Sequence, residues 1–399
     1  MNAPLQVDAI IQRHATDAAF YWSQCDGASR SPLLTAERLQ HFRYLLQAHL
    51  EGLQIAGEAG WQAAFKAFER WKGPSETFVC AWLALGEVDG AKFKAIWPLV
   101  AEQPERMLRG VISALAQIGD EPAARCIGRW GLSTGFPVLQ VAALRAAAHR
   151  SELSATTLQD LFALGQASPD PHVQAASCRL ARRLPGSTVL TSLTAMLGAP
   201  SNAVRAEAAI ALLQHSHASA WQPLAEALQS RAATLPSLTG WQQSQAMHSL
   251  SRWVHYTGCH AARNSPTLLA LRDSLPERLA LQLALYHGAA SWLPWIRDRA
   301  SSSAHARYAG WVWQCLTGID LEAHHLCLMP ESNDLQEGDP QDAGLSLPAA
   351  SRMPDTPTLP QDVAILLGQP VSPARLPQII ATAPCALAHL AKLHQEFEA

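Results

Sequence analysis

The chain has little charge and lacks long apolar runs. Charged residues make up 16% of its 399 residues, and the net charge is −3 near neutral pH. Without a basic excess we expect no nucleic-acid partner. No apolar run reaches the roughly 18–20 residues that span a bilayer, so we expect no membrane partner. The first residues, MNAPLQVDAIIQRH, lack a cationic segment followed by an apolar run, so we expect no signal peptide.

The eight cysteines are scattered and include no C-x-x-C pair. His324, His325 and Cys327, together with Cys315, could supply metal ligands. No second Cys or His pair follows at zinc-site spacing, which favours surface histidines at a helix end. We therefore expect reduced cysteines in a cytoplasmic protein that holds no metal and no other cofactor.

Familiar catalytic motifs are also missing. The sequence contains no P-loop, no dinucleotide fingerprint and no His-Glu dipeptide of the kind that binds iron in some HEAT-like proteins. The letters GLSTG at 131–135 fit a nucleophile elbow, which requires a preceding strand. A helical pattern precedes this turn instead, so we predict that the protein is not an enzyme.

What the chain does contain is an internal repeat. Four similar helical segments lie between about residues 105 and 217, with a second, shorter helix between successive segments. Two helices per unit with a period of roughly 30–47 residues are typical of an α-solenoid. Proline is well tolerated in the first helical turn. The anchors are Leu108, Leu139, Val173 and Val204, at steps of 31, 34 and 31 residues, and the opening prolines are Pro104, Pro137, Pro171 and Pro200.

This pattern predicts an all-α fold: an α-solenoid of HEAT-like helical-hairpin repeats with irregular N- and C-terminal caps. The likeness to HEAT repeats rests on the Pro-x-x-x-Val-Arg start at Pro200 to Arg205. We predict five regions: an N-terminal helical region (1–90), regular repeats (91–218), degenerate repeats or a cap (219–329), a linker (330–362) and a short helical segment (363–399).

The predicted linker differs in composition from the rest. Residues 330–362 carry seven acidic residues, one basic residue and six prolines. Such a segment buries too little apolar surface to order itself, so we predict a disordered linker. The alternative is an acidic segment that contacts a basic partner.

Two groups of residues are candidates for binding a protein partner. The first occupies one equivalent position per repeat, as either a hydrogen-bond ladder between repeats or a polar stripe on the concave face. The second is tryptophans near the C-terminal end, which either pack between helices or anchor a partner. The candidates are Arg109, Gln140, Gln174 and Arg205, and Trp292, Trp295, Trp311 and Trp313.

Several short motifs resemble a family of HEAT-like proteins found with bacterial type VI secretion genes. They are AAFYW at 18–22, AHLEGL at 48–53, AG at 56–57, GW at 60–61, AG at 309–310 and LTGIDL at 316–321. The resemblance covers roughly residues 8–325 and ends after His325, where the family's tryptophan-containing end is missing. It implies contact with secretion effectors or secretion components and places no catalytic residue.

Together these observations predict a non-catalytic protein-binding scaffold. The resemblance makes the expected partner a type VI effector toxin, with this protein as its cytoplasmic immunity partner. The alternative is an adaptor or chaperone that loads an effector onto the secretion spike.

Overall fold

A computed structural model describes residues 8–86, 90–263, 265–302, 304–328, 342–354, 359–360 and 362–398. The chain divides into two compact units. Unit 1 comprises Met1–Ala28 and Glu37–Ala211, and unit 2 comprises Ser29–Ala36 and Leu212–Ala399. This division differs from the five predicted regions, because the N-terminal helices and the regular repeats belong to one unit.

Unit 1 confirms the predicted all-α helical-repeat fold. Its successive helices pair as hairpins, and the second helix of each hairpin packs on the second helix of the next: α4 on α6, α6 on α8 and α8 on α10. The helices are α1 Asp8–Gly27, α2 Ala36–Ile55, α3 Glu58–Trp71, α4 Pro74–Leu85, α5 Ala91–Glu102, α6 Pro104–Gln117, α7 Asp120–Gly131, α8 Pro137–Ala147, α9 Ala155–Gln166, α10 Pro171–Ala181, α11 Gly186–Met196 and α12 Asn202–Gln214, in which the unit boundary falls.

Proline and side-chain caps set where the repeat helices begin. Pro104, Pro137 and Pro171 each occupy the first turn of a second helix, where no hydrogen bond is lost. Pro200 instead lies two residues before α12. Asp170 caps α10, since its Oδ1 accepts from the amide of His172 at 2.8 Å. The sequence pattern thus located the second helices to within a few residues.

Unit 2 is also helical and contains a short β-hairpin. Helix α14 packs on α13 and α16, α18 packs on α16 and α17, and α19 packs on α20. Its elements are α13 Trp221–Ala232, α14 Gly240–His260, α15 Pro266–Ser274, α16 Glu277–His287, α17 Leu293–Ser302, α18 Ala306–Thr317, β1 Ile365–Leu366, β2 Gln369–Pro370, α19 Leu376–Thr382 and α20 Cys385–Glu398, with β1 and β2 antiparallel.

Backbone contacts close unit 2 at the ends of its helices. The amide of Ile365 donates to the carbonyl of Gly288, just after α16, at 2.8 Å. At the start of α20, the amides of Cys385 and Ala386 donate to the carbonyls of Leu34 and Ser31 at 2.7 and 3.1 Å. These amides have no partner within their own helix. The loop between α1 and α2 therefore belongs structurally to the C-terminal half of the sequence.

The prediction of a disordered linker is wrong for 342–354. Asp342 is buried and forms an ion pair with Arg278 at 2.5 Å, while Arg307 donates to the carbonyl of Leu345 at 2.6 Å. Ala349 and Met353 are also buried. An arginine partner and local apolar residues compensate for the acidic composition. The rest of the predicted linker, at 330–341, 355–358 and 361, lies outside the described residues.

Candidate functional site

Three of the four repeat residues predicted to bind a partner instead form hydrogen bonds with the turns of their own hairpins. Gln140 Nε2 donates to the carbonyl of Gly131 at 3.2 Å, and Gln174 Nε2 donates to that of Ser168 at 2.9 Å. Arg205 likewise donates to the carbonyl of Ala199 at 3.3 Å. These bonds satisfy carbonyls at or just beyond the ends of the preceding helices. They lie within one repeat, so the expected ladder between repeats is wrong for these residues.

The four predicted residues also differ in how exposed their side chains are. Gln140 is 2% exposed, which contradicts a direct contact with a partner. The side chain of Arg109 is 45% exposed, and its Nε donates to Asp26 Oδ1 at 2.8 Å. Among the four, Arg109 therefore offers the most surface.

A ladder between repeats does exist, formed by arginines that the sequence analysis missed. Arg150 is 5% exposed, and its Nη1 donates to the carbonyls of Leu115 and Ile118, near the end of α6, at 3.1 and 2.8 Å. Arg182 Nη2 donates to the carbonyl of Ala148, just after α8, at 3.0 Å, and Arg183 also binds the end of α8. A cation at a helix C-terminus is favourable because of the helix dipole.

The sequence did carry a weak signal for this ladder. Arg150 ends the letters AAAHR, and Arg182 and Arg183 end RLARR, at similar distances after the anchors Leu139 and Val173. Each guanidinium reaches back to a carbonyl 32–36 residues earlier, which is about one repeat period.

The second helices also carry a basic cluster around an exposed histidine. We call His149, Arg109, Arg145, Arg179 and Arg182 the His149 cluster. Desolvation by the protein, followed by the charges of Arg182, Arg109, Arg145 and Arg179, lowers the pKa of His149 to about 4. Helices α6, α8 and α10 and the residue after α10 supply the arginines, two of which are paired with carboxylates of this chain.

The turn between α7 and α8 exposes two large apolar side chains. Leu132 and Phe136 are each 61% exposed. The turn is nevertheless held by hydrogen bonds: the amide of Phe136 donates to the carbonyl of Ser133 at 2.9 Å, and Ser133 Oγ donates to the carbonyl of Arg129 at 2.8 Å. Gln140 also donates to the carbonyl of Gly131 at the start of this turn, as described above. The turn therefore presents apolar surface in a fixed conformation.

The turn of an earlier hairpin repeats this feature. Trp71, at the end of α3, is 57% exposed, and the Arg70 guanidinium lies 4.8 Å from the centre of its ring. We call Trp71, Leu132 and Phe136 the turn edge. Sequence reasoning considered the repeat turns as binding sites without selecting these residues, although large apolar residues in a turn were the available signal.

Three of the four predicted tryptophans are buried. Trp292, Trp311 and Trp313 are 3%, 8% and 1% exposed, so they pack in the core of unit 2. Their burial contradicts a role as partner anchors. Trp295 is half-buried, with the guanidinium carbons of Arg272 and Arg299 at 5.1 and 5.6 Å from its ring centre. This cation–π arrangement leaves Trp295 as a secondary candidate surface.

The remaining candidates for chemistry were Ser133, His324 and His325. Ser133 lies in a turn preceded by α7, whereas a nucleophile elbow requires a strand. His324 and His325 are exposed, and His324 Nδ1 lies 2.9 Å from the carbonyl of Asp320. Across the described ranges, the structure brings together no group of three His, Cys, Asp or Glu side chains that could hold a metal.

The cysteines are all free thiols. Burial raises the pKa of Cys80, Cys178, Cys259 and Cys315. A raised pKa keeps these groups protonated, and a protonated thiol is a poor nucleophile.

A cavity of about 310 Å³ opens in the N-terminal part of unit 1. Trp61 and Trp82 line it, and Lys92 Nζ lies 5.5 Å from the centre of the Trp61 ring. Its other lining residues include Leu53, Leu83 and Ile118. The cavity is thus mainly apolar, with one cation at its side.

Comparison with known proteins adds no functional assignment. No protein-family model matches the chain, and no curated protein or solved structure is detectably similar to it. In the part of the chain that the structure describes, none of the helices has the length and apolar character needed to cross a membrane.

Proposed function

We propose that this chain is a non-catalytic scaffold that binds a protein partner through the turn edge of unit 1. The observation that carries the proposal is the exposure of Leu132 and Phe136, 61% each, in a turn fixed by hydrogen bonds. Fully burying a side chain of this size contributes about 1.5–3 kcal/mol. A fixed turn loses little conformational entropy when it binds.

The chemistry of the turn edge suits a binding hot spot. Tryptophan and arginine are enriched among residues that dominate binding energies, and Arg70 lies against Trp71. Repeat proteins commonly bind other proteins along surfaces formed by successive units. Trp71 and Phe136 lie in turns of two different hairpins, so one partner contacting both would span more than one repeat.

The partner that we propose is a type VI effector toxin, bound by this chain as its immunity protein in the cytoplasm. This choice rests on the short motifs that resemble the secretion-associated family and on the scaffold character of unit 1. Neutralising a toxin at low concentration requires nanomolar affinity or better, about −12 kcal/mol. The alternative is an adaptor, which must release its cargo and can bind more weakly.

Binding is tested with the purified products of neighbouring genes and the full-length chain. Calorimetry should give a nanomolar Kd with one of them, and the double substitution Leu132→Ala, Phe136→Ala should weaken it by about 2–4 kcal/mol, because two anchors are lost. Ile55→Ala is the matched control, since Ile55 is 86% exposed and lies outside the turn edge. Equal affinity of the double variant and the control would rule out the turn edge.

A cellular experiment separates immunity from adaptor function. The bound toxin is produced in the cytoplasm with and without this protein, and growth is measured. Rescue by the natural chain and loss of rescue with the double variant support immunity. Unrescued growth, combined with reduced toxin secretion when the gene is deleted, supports the adaptor instead.

A further inference from the structure

We propose that the His149 cluster binds an acidic segment of the partner protein, with a partner carboxylate placed on Arg182. The inference rests on the proposed function, because it assigns a second contact to the same partner. It is carried by the position, exposure and fixed orientation of these side chains.

Three of the four guanidinium groups are held in place before any partner arrives, two of them by carboxylates of this chain. Arg109 bonds to Asp26, Arg179 Nη2 bonds to Glu207 Oε1 at 2.7 Å, and Arg182 Nη2 bonds to the carbonyl of Ala148 at 3.0 Å. A guanidinium has five N–H donors in a rigid fork. The bond to Ala148 uses one donor of Arg182, so others remain for a carboxylate, which arginine binds in bidentate geometry.

Exposure shows which groups the partner can reach. His149, Arg109 and Arg182 are exposed, while Arg145 and Arg179 are half-buried. The two half-buried side chains keep part of their charge away from bulk water, so salt screens that charge less. A carboxylate of the partner would therefore contact the exposed side chains first, with the less screened charges of the half-buried arginines beneath them.

The chemistry favours an acidic protein over a nucleic acid. Positive charge is local, since the whole chain has a net charge of −3. Nucleic-acid binding generally depends on a basic stripe or an overall basic domain. A short acidic segment needs only the local cluster.

The cluster lies within reach of a partner seated on the turn edge. Phe136 immediately precedes α8, and His149 follows its end by two residues. The 11 residues of α8 measure roughly 16 Å. A standard interface covers about 800 Å² on each partner, so one partner can contact both ends of α8.

The first test measures binding of a fluorescent deca-glutamate peptide to the full chain by anisotropy, at low salt and at about 0.15 M salt. Arg182→Glu should lower its affinity by about tenfold or more, because attraction becomes repulsion, and Arg182→Lys should retain most of it. The matched control is Arg125→Glu, since Arg125 is also exposed and lies on the first helix α7. Thermal unfolding of each variant verifies folding.

The second test does not depend on substituting an arginine. Carboxylates placed beside His149 should raise its pKa despite Arg109 on α6, Arg145 on α8, Arg179 on α10 and Arg182 just after α10. Calorimetry at about pH 5.5, in buffers of different ionisation heats, measures the protons exchanged when the peptide binds. The peptide's own carboxylates release protons on binding, so the contribution of His149 is the difference between the natural chain, which should take up more protons, and the His149→Gln variant.

Equal affinities of the Arg182→Glu and Arg125→Glu variants, or equal proton exchange by the natural chain and the His149→Gln variant, would overturn the proposal. Tighter binding of an oligothymidylate, lost in the Arg182→Glu variant, would assign the cluster to nucleic acid. Because the peptide carries no apolar anchor, the Leu132→Ala, Phe136→Ala variant should bind it like the natural chain. Failure of the turn edge and failure of the cluster are therefore distinguishable.

Discussion

At the scale of single residues, arginine satisfies the backbone at the ends of α6 and α8. Neither helix ends in a left-handed glycine, which often satisfies the last carbonyls of a helix. Arg150 takes this role for α6, and Arg182 and Arg183 take it for α8. Each bond also joins one repeat to the next. These residues therefore couple the end of a helix to the stacking of the repeats.

Replacing Arg150 with alanine should destabilise unit 1 by about 3–5 kcal/mol, because the carbonyls of Leu115 and Ile118 lose a buried charged donor. Arg125→Ala is the control. Arg125 forms an exposed ion pair with Glu121 at 3.8 Å, and such pairs contribute about 0–1 kcal/mol. Urea unfolding measures both values, and similar losses for the two variants would contradict the ladder.

The sequence could suggest these arginines but could not place their bonds. Arginines follow the anchors Leu139 and Val173 at similar intervals, whereas the carbonyl that each reaches depends on how two hairpins stack. The same limit applies to Gln140 and Gln174, whose alignment was visible and whose partners were not. For Trp292 and Trp313, residue type alone did not distinguish a buried aromatic side chain from a binding anchor.

At the scale of the elements, close contact between second helices depends on small residues. A Cβ on Gly110, in α6, would lie 2.3 Å from the carbonyl oxygen of Pro74 and 2.6 Å from the amide nitrogen of Phe78. Both atoms belong to the backbone of α4 and cannot move aside as a flexible side chain can. Gly110 therefore permits the packing of α4 on α6.

Gly110→Ala should destabilise unit 1 by about 1–3 kcal/mol or more, because the added methyl group forces two helices apart. The matched substitution is Gly128→Ala in α7, where an added Cβ would meet nothing within 4 Å. Alanine favours a helix over glycine by up to about 1 kcal/mol, so this variant should be neutral or more stable. Thermal unfolding compares the two, and stabilisation by both would show that α4 and α6 tolerate the group.

Periodicity predicted the repeat helices of unit 1 well, because their apolar faces recur along the sequence. Composition misled for 342–354, because the acidic and proline-rich segment indicated disorder. The buried residues Leu345, Ala349 and Met353 recur every four residues and were a local apolar signal. Composition averaged over a longer segment concealed it, and only the fold reveals that Arg278 pairs with Asp342.

At the scale of the whole molecule, buried and half-buried histidines with a lowered pKa are concentrated in unit 2. Burial lowers the pKa of His260, His287, His389 and His394 to about 4, and that of His255 well below its usual value. Positively charged neighbours add to the shift for His287, His389 and His394. Among the described residues of unit 1, a lowered histidine pKa occurs at His49 and at the exposed His149.

Unit 2 should therefore lose stability in acid before unit 1. Its histidines stay neutral when folded and bind protons from about pH 6.5 downward when unfolded, so stability is complete above that pH and falls toward about pH 4. Each of these buried or half-buried histidines contributes a loss of order 1–3 kcal/mol. Hydrogen exchange, corrected for intrinsic rates, should show unit 2 opening first, and His389→Gln with His394→Gln should reduce the effect. Earlier opening of unit 1 would contradict this assignment.

The hydrogen bonds from Cys385 and Ala386 to Leu34 and Ser31 have a consequence for biosynthesis. The two carbonyls leave the ribosome about 350 residues before the two amides. At about 5–20 residues per second, the roughly 350 intervening residues take about 20–70 s to synthesise. Throughout that interval the loop between α1 and α2 cannot form these two hydrogen bonds. A chain terminated before α20 cannot complete unit 2, so native folding of unit 2 depends on synthesis through α20.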